Sequence, residues 1–269
     1  AKGRVPLVVA LHGCTQTAAE FDQRSGWSHL AEKAGFLMLY PEQQSGNNAM
    51  MCFNWGAPTG GVNNLIRGEG ENHSIAQMIN HMKENYNIGD IYITGFSAGG
   101  ALSANMLSLY PDLFKAGAIM AGIPFGCAND LLSSFSCMFQ GKTFTSQEWG
   151  DFVRGAFQYN GRYPKISIWH GSSDYTVTPN NALELVKQWT NIHGISVEGV
   201  REDLGDQNEH FVFTNDSGEK LLYFHHIIGM GHAITVDPSE DRSGGSTGAF
   251  SENKGIHSTY QTAVEWGIL

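Results

Sequence analysis

Residues 90–107 read DIYITGFSAGGALSANML, and this stretch decides the fold. Its first part, 90–95, has the apolar and β-branched residues of a buried strand, and 101–107 has the composition of a helix. Between them Ser97 lies in a Gly-x-Ser-x-Gly pattern, whose glycines suit a sharp turn in which neighbouring backbone comes very close. Strand, sharp turn and helix together form a nucleophile elbow, which exposes a serine hydroxyl beside a helix N-terminus. We therefore predict that Ser97 is a nucleophile.

The same five-residue pattern occurs a second time, at Gly244–Gly248. There it follows the polar segment Pro238–Arg242 instead of an apolar strand. Without a strand before it, the pattern cannot build an elbow. We predict that this copy is a loop and that Ser246 is not a nucleophile.

Working outward from the elbow, short apolar runs alternate with segments of helical period, which is typical of a parallel sheet flanked by helices. Ile75, Met78, Ile79 and Met82 fall on one helix face, and Ala182, Leu185, Val186 and Trp189 fall on one face of a second helix. Both helices are expected to pack on the sheet. The sequence predicts an α/β fold, specifically the α/β-hydrolase fold, with strands at 5–11, 36–40, 90–95, 115–121, 165–170 and 221–227.

Three long segments, 41–71, 123–145 and 228–254, are rich in Gly, Asn, Ser and Pro and have neither period. We predict that they are loops, which at such length are usually functional. No linker divides the chain, so a single catalytic domain over 1–269 is expected.

A serine needs a base to take its proton and an acid to orient that base, and in this fold the chain order is Ser, Asp or Glu, then His. Asp174 follows the strand at 165–170, and His232 follows the strand at 221–227. Both positions are loops at carboxyl ends of strands. We predict the triad Ser97, Asp174 and His232.

Other histidines are weaker candidates for the base. His225 and His226 lie within a strand, where a structural role is expected. His170 immediately precedes the acid loop and is placed to line the cleft. His257 begins the C-terminal helix, as a surface or capping residue.

Other acidic residues are read as solvated. Asp206 and Asp237 are loop carboxylates, and Glu69–His73 is predicted to be a solvated loop. The chain has neither H-x-x-E-H nor H-E-x-x-H spacing, so the sequence predicts no metal site.

Residues 8–16, VVALHGCTQ, run from a strand into a turn where such enzymes place an oxyanion donor. The backbone N–H groups of Cys14 and Ala98 are the predicted pair of donors. Backbone donors require no particular side chain, so the position of the turn carries this prediction.

Composition excludes several classes of function. A formal net charge of −10 with only 16 Lys and Arg residues argues against nucleic-acid binding. The longest apolar runs are far shorter than the roughly 20 residues that span a bilayer. No G-x-x-x-x-G-K pattern for nucleotide phosphates occurs.

Five blocks follow one another in the chain: Leu11–Gln16, Cys52–Trp55, Gly95–Gly100, His170–Asp174 and Gly229–Ala233. Together they resemble the polyhydroxybutyrate-depolymerase-like esterases, which overlap family 1 of the carbohydrate esterases. The resemblance implies the same triad and oxyanion donors, no cofactor, and a secreted or periplasmic enzyme. Members usually have one or two further strands before the strand at 5–11, so we expect either a truncated N-terminus that lacks edge strands or a smaller sheet.

The four cysteines allow three pairings as two disulfides. The sequence itself leaves these pairings open, together with four buried thiols. The resemblance implies bridges between Cys14 and Cys52 and between Cys127 and Cys137.

The expected substrate is an ester, carried by a polymer. Trp55, Phe125 and Tyr175 are candidates for an apolar wall beside the cleft. The segment Val186–Gly194 resembles acetylxylan and feruloyl esterases, so esters on plant polysaccharide are predicted first and a polyhydroxybutyrate depolymerase second. A serine peptidase of the same fold and a binding module with a decayed triad are weaker alternatives.

Overall fold

The computed structural model describes residues 3–56, 63–239 and 244–269. Within these residues the chain forms ten strands and eight helices. The strands are β1 (Val5–Leu11), β2 (Leu37–Leu39), β3 (Ile88–Phe96), β4 (Ala116–Met120), β5 (Lys165–Gly171), β6 (Val200–Glu202), β7 (Glu209–Thr214), β8 (Lys220–Ile227), β9 (Ile234–Val236) and β10 (Ser251–Asn253). The helices are α1 (Ala18–Ser25), α2 (Trp27–Ala34), α3 (Gly70–Asn85), α4 (Ala98–Leu109), α5 (Leu131–Phe139), α6 (Ser146–Ala156), α7 (Asn180–His193) and α8 (Ser258–Trp266).

Eight strands form one sheet in the order β2-β1-β3-β4-β5-β8-β7-β6. The strands from β2 to β8 in this order are parallel, and β7 and β6 continue the sheet antiparallel. β9 and β10 form a small separate pair. The carboxyl ends of β1, β3, β5 and β8 therefore meet at one edge of the sheet, where α/β enzymes place their ligands.

Both faces of the sheet are covered, which explains the continuous apolar runs of its central strands. Successive side chains of a strand point to opposite faces. Leu7, Val9 and Leu11 of β1 pack in one core with α3, α4, α6 and α7. Val8 and Ala10 pack in a second core with α1, α2 and α8. These layers are those of the predicted α/β-hydrolase fold.

All six predicted strands are present, with ends that differ by at most two residues. The helix predicted at 182–189 buries its apolar face completely, whereas the helix at 75–82 leaves Met78 40% exposed. The prediction that Met78 lies on the buried face was therefore wrong. Of the four residues predicted on this face, only Ile75 and Ile79 are fully buried.

The loop predictions were wrong in part. Segment 123–145 contains α5, which begins with a capping box between Asp130 and Ser133. Leu132, Phe135 and Phe139 of this helix recur at helical spacing, but the Gly, Asn and Ser residues around them led to the loop prediction. Segment 228–254 contains β9 and β10, and α3 begins inside 41–71. Residues 57–62 and 240–243 of these segments lie outside the described residues.

Candidate active site

Ser97 lies at the turn between β3 and α4, in a conformation that few side chains adopt. Its backbone has φ 57° and ψ −120°, a strained combination of the kind found at functional sites. A Cβ atom at position 95 would lie 2.2 Å from the Gly99 oxygen, and one at 99 would lie 2.3 Å from the Leu11 oxygen. Only glycine fits at both positions, so the sequence pattern follows directly from the packing of this turn.

The second Gly-x-Ser-x-Gly pattern has a different environment. Ser246 accepts a hydrogen bond from Arg24 Nη1 at 3.1 Å, and its amide donates to the Arg24 carbonyl. Residues 244–247 belong to neither a helix nor a strand. Among the described residues, no His, Asp or Glu side chain is hydrogen-bonded to Ser246, and Ser246 does not begin a helix.

The structure brings Ser97, His232 and Asp174 together in one hydrogen-bonded chain. The Ser97 hydroxyl lies 2.8 Å from His232 Nε2, and His232 Nδ1 lies 2.8 Å from Asp174 Oδ2. A carboxylate accepts, so the Nδ1–H of His232 donates to Asp174 and the free Nε2 faces the serine proton. This tautomer is the one that a general base requires.

Asp174 is buried, and its charge is compensated on all sides. Burial disfavours the charged carboxylate, but hydrogen bonds from His170 and His232 outweigh it and hold the pKa of Asp174 well below its usual range. Its Oδ1 accepts from the amides of Thr176 and Val177 at 2.9 and 2.8 Å. The carboxylate is therefore ionised and oriented at neutral pH.

His170 does not line the cleft as predicted, because its side chain is completely buried behind Asp174. Its Nε2 lies 2.8 Å from the Val177 carbonyl, which can only accept, and 3.3 Å from Asp174 Oδ2. His170 Nε2 therefore carries a proton and supports the acid loop. Sequence reasoning missed this contact, although a histidine four residues before the acid was the available signal.

Two further contacts, not predicted from the sequence, hold the His232 loop. The Phe96 ring lies 4.8 Å from the imidazole of His232 between centroids. Glu252 Oε1 accepts from the Gly231 amide at 3.0 Å. The imidazole of His232 is thus packed on the residue before Ser97, and its loop is hydrogen-bonded to β10.

The predicted oxyanion donors Cys14 and Ala98 lie at the carboxyl ends of β1 and β3. Ala98 is the first residue of α4, so its N–H has no acceptor within the helix. The amides beside Cys14 are occupied, since Gly13 donates to Gln16 Oε1 at 2.9 Å and Thr15 to the Met50 carbonyl at 2.8 Å. For the Cys14 amide, no acceptor occurs among the described residues.

Both disulfides implied by the resemblance are present, Cys14–Cys52 and Cys127–Cys137. The first ties the turn after β1 to the long segment that precedes α3. The second joins the start of the α5 segment to α5 itself. The pairing that the sequence left open is therefore resolved.

A cavity of about 480 Å³ begins beside Cys14. Trp55 lies in its wall, as predicted. Phe125 does not, because its ring is only 5% exposed and packs in the core, so its predicted role in substrate contact is wrong. Tyr175 is 90% exposed beside the acid loop, and this cavity does not include it. The remaining lining comes from the Asn48–Gly56 segment and from α5, through Leu131, Ser134, Phe135 and Met138.

A larger groove of about 800 Å³ lies between α7 and strands β7 and β8. None of Ser97, Asp174 and His232 lines it. These three residues do not line the smaller cavity either, but that cavity includes Cys14, one of the two predicted oxyanion donors, and the larger groove includes neither donor.

The other histidines have structural contacts. His225 is buried and meets His210 Nδ1 to Nδ1 at 2.7 Å, while His226 lies 3.0 Å from Glu209. His257 caps α8, which confirms one of its two predicted positions, and its side chain is buried instead of lying on the surface. Asp206 is also not simply solvated, because His210 contacts its carboxylate and lowers its pKa despite burial.

Glu69–His73, predicted to be a solvated loop, instead caps and begins α3, and Glu71 is surrounded by hydrogen-bond donors. Among the described residues, no group of three or more His, Cys, Asp or Glu side chains is arranged to hold a metal ion. No helix in the described part of the chain is long and apolar enough to cross a bilayer.

Comparison with solved structures identifies the fold. An acetyl xylan esterase from Aspergillus awamori superposes with a TM-score of 0.80 over 99% of this chain and 90% of that one, at 23% identity. At this identity the likeness concerns the fold alone. The fold is the α/β-hydrolase fold.

Comparison with known sequences identifies relatives. Poly(3-hydroxyalkanoate) depolymerase C of Paucimonas lemoignei is 45% identical over 98% of this chain, and the match spans 64% of that protein. The acetylxylan esterase of Coprinopsis cinerea is 36% identical over 72% of this chain, spanning 53% of its length. The chain thus spans less than two thirds of the length of either relative. The family described as esterase PHB depolymerase matches residues 1–211, and this chain belongs to that family.

Proposed function

We propose that this chain is a serine-dependent carboxylic ester hydrolase that works through an acyl-enzyme. The observation that carries the proposal is the continuous chain from Ser97 through His232 to Asp174, with both contacts at 2.8 Å. A serine, a correctly oriented imidazole and a buried carboxylate are the parts that acyl transfer needs. The family relatives support the choice of an ester as substrate.

In the proposed mechanism, Ser97 Oγ attacks the ester carbonyl while His232 Nε2 takes the hydroxyl proton. The carbonyl oxygen becomes an anion, which the amides of Cys14 and Ala98 stabilise. His232 then gives its proton to the departing alcohol, and the acyl group stays on Ser97. A water molecule, activated by the same imidazole, releases the acid and restores the serine.

A polyester is our proposed substrate class, and the surface of α5 supports it. Leu132 and Phe139 are 81% and 57% exposed, and Leu131 and Phe135 continue this apolar surface into the cavity beside Cys14. A polyhydroxyalkanoate chain offers hydrocarbon and ester oxygens but few donors, so an apolar wall suits it. The 45% identity with a poly(3-hydroxyalkanoate) depolymerase supports the same class.

Esters on plant polysaccharide are the second candidate, which the Coprinopsis acetylxylan esterase supports. The sequence ranked this candidate first because of Val186–Gly194. That segment lies in α7, where Gln188 and Trp189 are completely buried. Its residue types therefore reflect packing in the core and do not indicate the substrate. A panel of polyhydroxybutyrate, acetylated xylan and methyl ferulate separates the two candidates.

Secretion or export to the periplasm is also proposed. Two disulfides support it, because such bonds persist in oxidising compartments.

The test of the activity is a pair of variants with an aryl acetate as substrate. Ser97→Ala should abolish hydrolysis, whereas Ser246→Ala should retain it, and a serine-directed phosphonate should label Ser97 alone. Chelators should leave the rate unchanged, and a peptide anilide should not be cleaved. Full activity of Ser97→Ala, or labelling of Ser246, would overturn the assignment.

A further inference from the structure

Glu71 in the first turn of α3 is the centre of a cluster of hydrogen-bond donors outside the triad. Its Oε1 accepts from Gln43 Nε2 at 2.7 Å, from Asn47 Nδ2 at 2.8 Å and from Asn54 Nδ2 at 2.5 Å. Its Oε2 accepts from the backbone amide of Asn54 at 2.7 Å. One carboxylate thus holds three residues of the segment that precedes it by 17 to 28 positions.

The segment held in this way is a wall of the cavity beside Cys14. Asn48, Met50 and Asn54 are among its lining residues. Because Asn54 is bound through both its amide and its side chain, its main-chain position depends directly on the Glu71 carboxylate. The shape of the cavity therefore depends on a residue that does not line it.

The same segment is also attached to the catalytic elements. The Gln43 amide donates to His12 Nε2 at 3.0 Å, in the turn that leads to Cys14. Burial lowers the pKa of His12, which keeps this nitrogen free to accept. Asn105 of α4, the helix that follows Ser97, donates to the Trp55 carbonyl at 2.7 Å. Between these two attachment points, the segment is held by Glu71.

Only a carboxylate satisfies this arrangement. Four N–H groups converge on two oxygens, and both oxygens of an ionised Glu act as acceptors. A glutamine would replace one oxygen by an NH₂ group, which would then face other donors. A Glu71→Gln variant therefore keeps the size of the side chain but loses part of the support for the wall.

We propose that Glu71 is a positioning residue that determines substrate specificity, because it fixes the Asn48–Gly56 wall of the cavity for the larger part of the ester. This inference rests on the proposed function. Small esters, which do not reach the wall, should be insensitive to Glu71. Large esters, which extend along it, should be sensitive.

The experiment compares wild type, Glu71→Gln and the control Glu84→Gln, an exposed residue of the same helix. Ethyl acetate serves as the small ester. The large ester is a trimer of 3-hydroxybutyrate, which extends on both sides of the cleaved bond, or methyl ferulate if the wild type prefers it. Glu71→Gln should raise KM for the large ester about tenfold or more, as expected when positioning is lost. Its kcat for ethyl acetate and its rate of phosphonate labelling should stay within about twofold of wild type, since the transition-state contacts at Ser97 are intact.

Two results would overturn the inference. One is an unchanged ratio of kcat/KM between the two esters in Glu71→Gln. The other is an equal loss for both esters together with slower phosphonate labelling, which would indicate a general structural role. If Glu71→Gln does not fold, the variant Asn54→Ala replaces it, because it removes one donor and keeps the carboxylate. Asn54→Ala should show the same selective rise in KM for the large ester. An unchanged ratio of kcat/KM between the two esters in this variant would also refute the inference. A wild type that neither hydrolyses esters nor reacts with the phosphonate would instead remove the proposed function, and this inference with it.

Discussion

Breaking the Cys14–Cys52 bridge should affect both stability and catalysis, whereas breaking Cys127–Cys137 should affect stability alone. The two bridges can be removed separately by the paired variants Cys14→Ala with Cys52→Ala and Cys127→Ala with Cys137→Ala. Their sequence separations are 38 and 10. On the loop-entropy model these separations correspond to about 4 and about 2.7 kcal/mol of unfolding free energy. At roughly 2–4 °C per kcal/mol, Tm should fall by about 8–16 °C for the first pair and about 5–11 °C for the second.

The catalytic effect follows from the place of Cys14. Its amide is a proposed oxyanion donor, and the bridge fixes it against the segment that contains Met50 and Cys52. Alanine keeps the N–H group but releases this restraint. Complete loss of one such donor costs about 3 kcal/mol, which sets an upper limit of roughly 10²-fold or slightly more on the fall in kcat. The second bridge lies between α5 and the segment before it, so kcat for a small ester should stay within about twofold of wild type.

The assay is kcat for an aryl acetate, measured well below the Tm of both variants, with the folded fraction followed by circular dichroism. A thiol count on wild type in denaturant without reductant, on protein made in an oxidising compartment, should be near zero. Equal kcat in the two paired variants would refute the link between the first bridge and the oxyanion donor. Four free thiols in the wild type would refute both bridges.

Two other predictions follow from the electrostatics. Asp174→Asn should lower kcat by about 10⁴-fold, because the amide favours the wrong tautomer of His232. His170→Gln, which alters only the second partner of Asp174, should lower kcat much less. A loss of kcat in His170→Gln as large as that in Asp174→Asn would contradict this prediction. Burial lowers the pKa of His193 to about 4, so the unfolded chain binds more protons than the folded one as the pH falls from about 6.5 to about 4, and unfolding free energy should decrease over that range. His193→Gln should flatten this dependence in urea titrations, and an identical slope in variant and wild type would contradict it.

Much of the candidate site was predictable because each of its groups follows a strand. Cys14 follows β1, Ser97 follows β3, Asp174 follows β5 and His232 follows β8. In a parallel sheet these ends meet at one edge, so identifying the strands was sufficient to assemble the residues. The glycines at 95 and 99 also supported the prediction of a sharp turn, since neighbouring backbone atoms leave no room for a side chain at either position.

Elements whose apolar residues do not face the core were not predictable in this way. Helix α5 has apolar residues at helical spacing, but Leu132 and Phe139 are exposed and do not pack on the sheet, and the Gly, Asn and Ser residues around the helix led to the loop prediction. Phe125 was predicted as part of an apolar wall beside the cleft, yet the Gln188 side chain bonds its amide and carbonyl and its ring lies in the core. Burial of such a residue depends on a partner 63 positions away, which periodicity does not reveal.

The contacts that support the site could not be predicted from the sequence, and the reason is the same as for α5 and Phe125. His170 behind Asp174, and Glu71 among its four donors, are polar residues whose neighbours come from distant segments. A pattern that classifies residues by polarity assigns such groups to solvent, because an isolated carboxylate is usually solvated. Buried polar groups must, however, find partners, so the fold collects donors around each carboxylate that it encloses. The candidate reacting groups of this chain are therefore evident from local sequence, whereas the residues that orient them and shape the cavity become evident only when the carboxyl edge of the sheet is assembled.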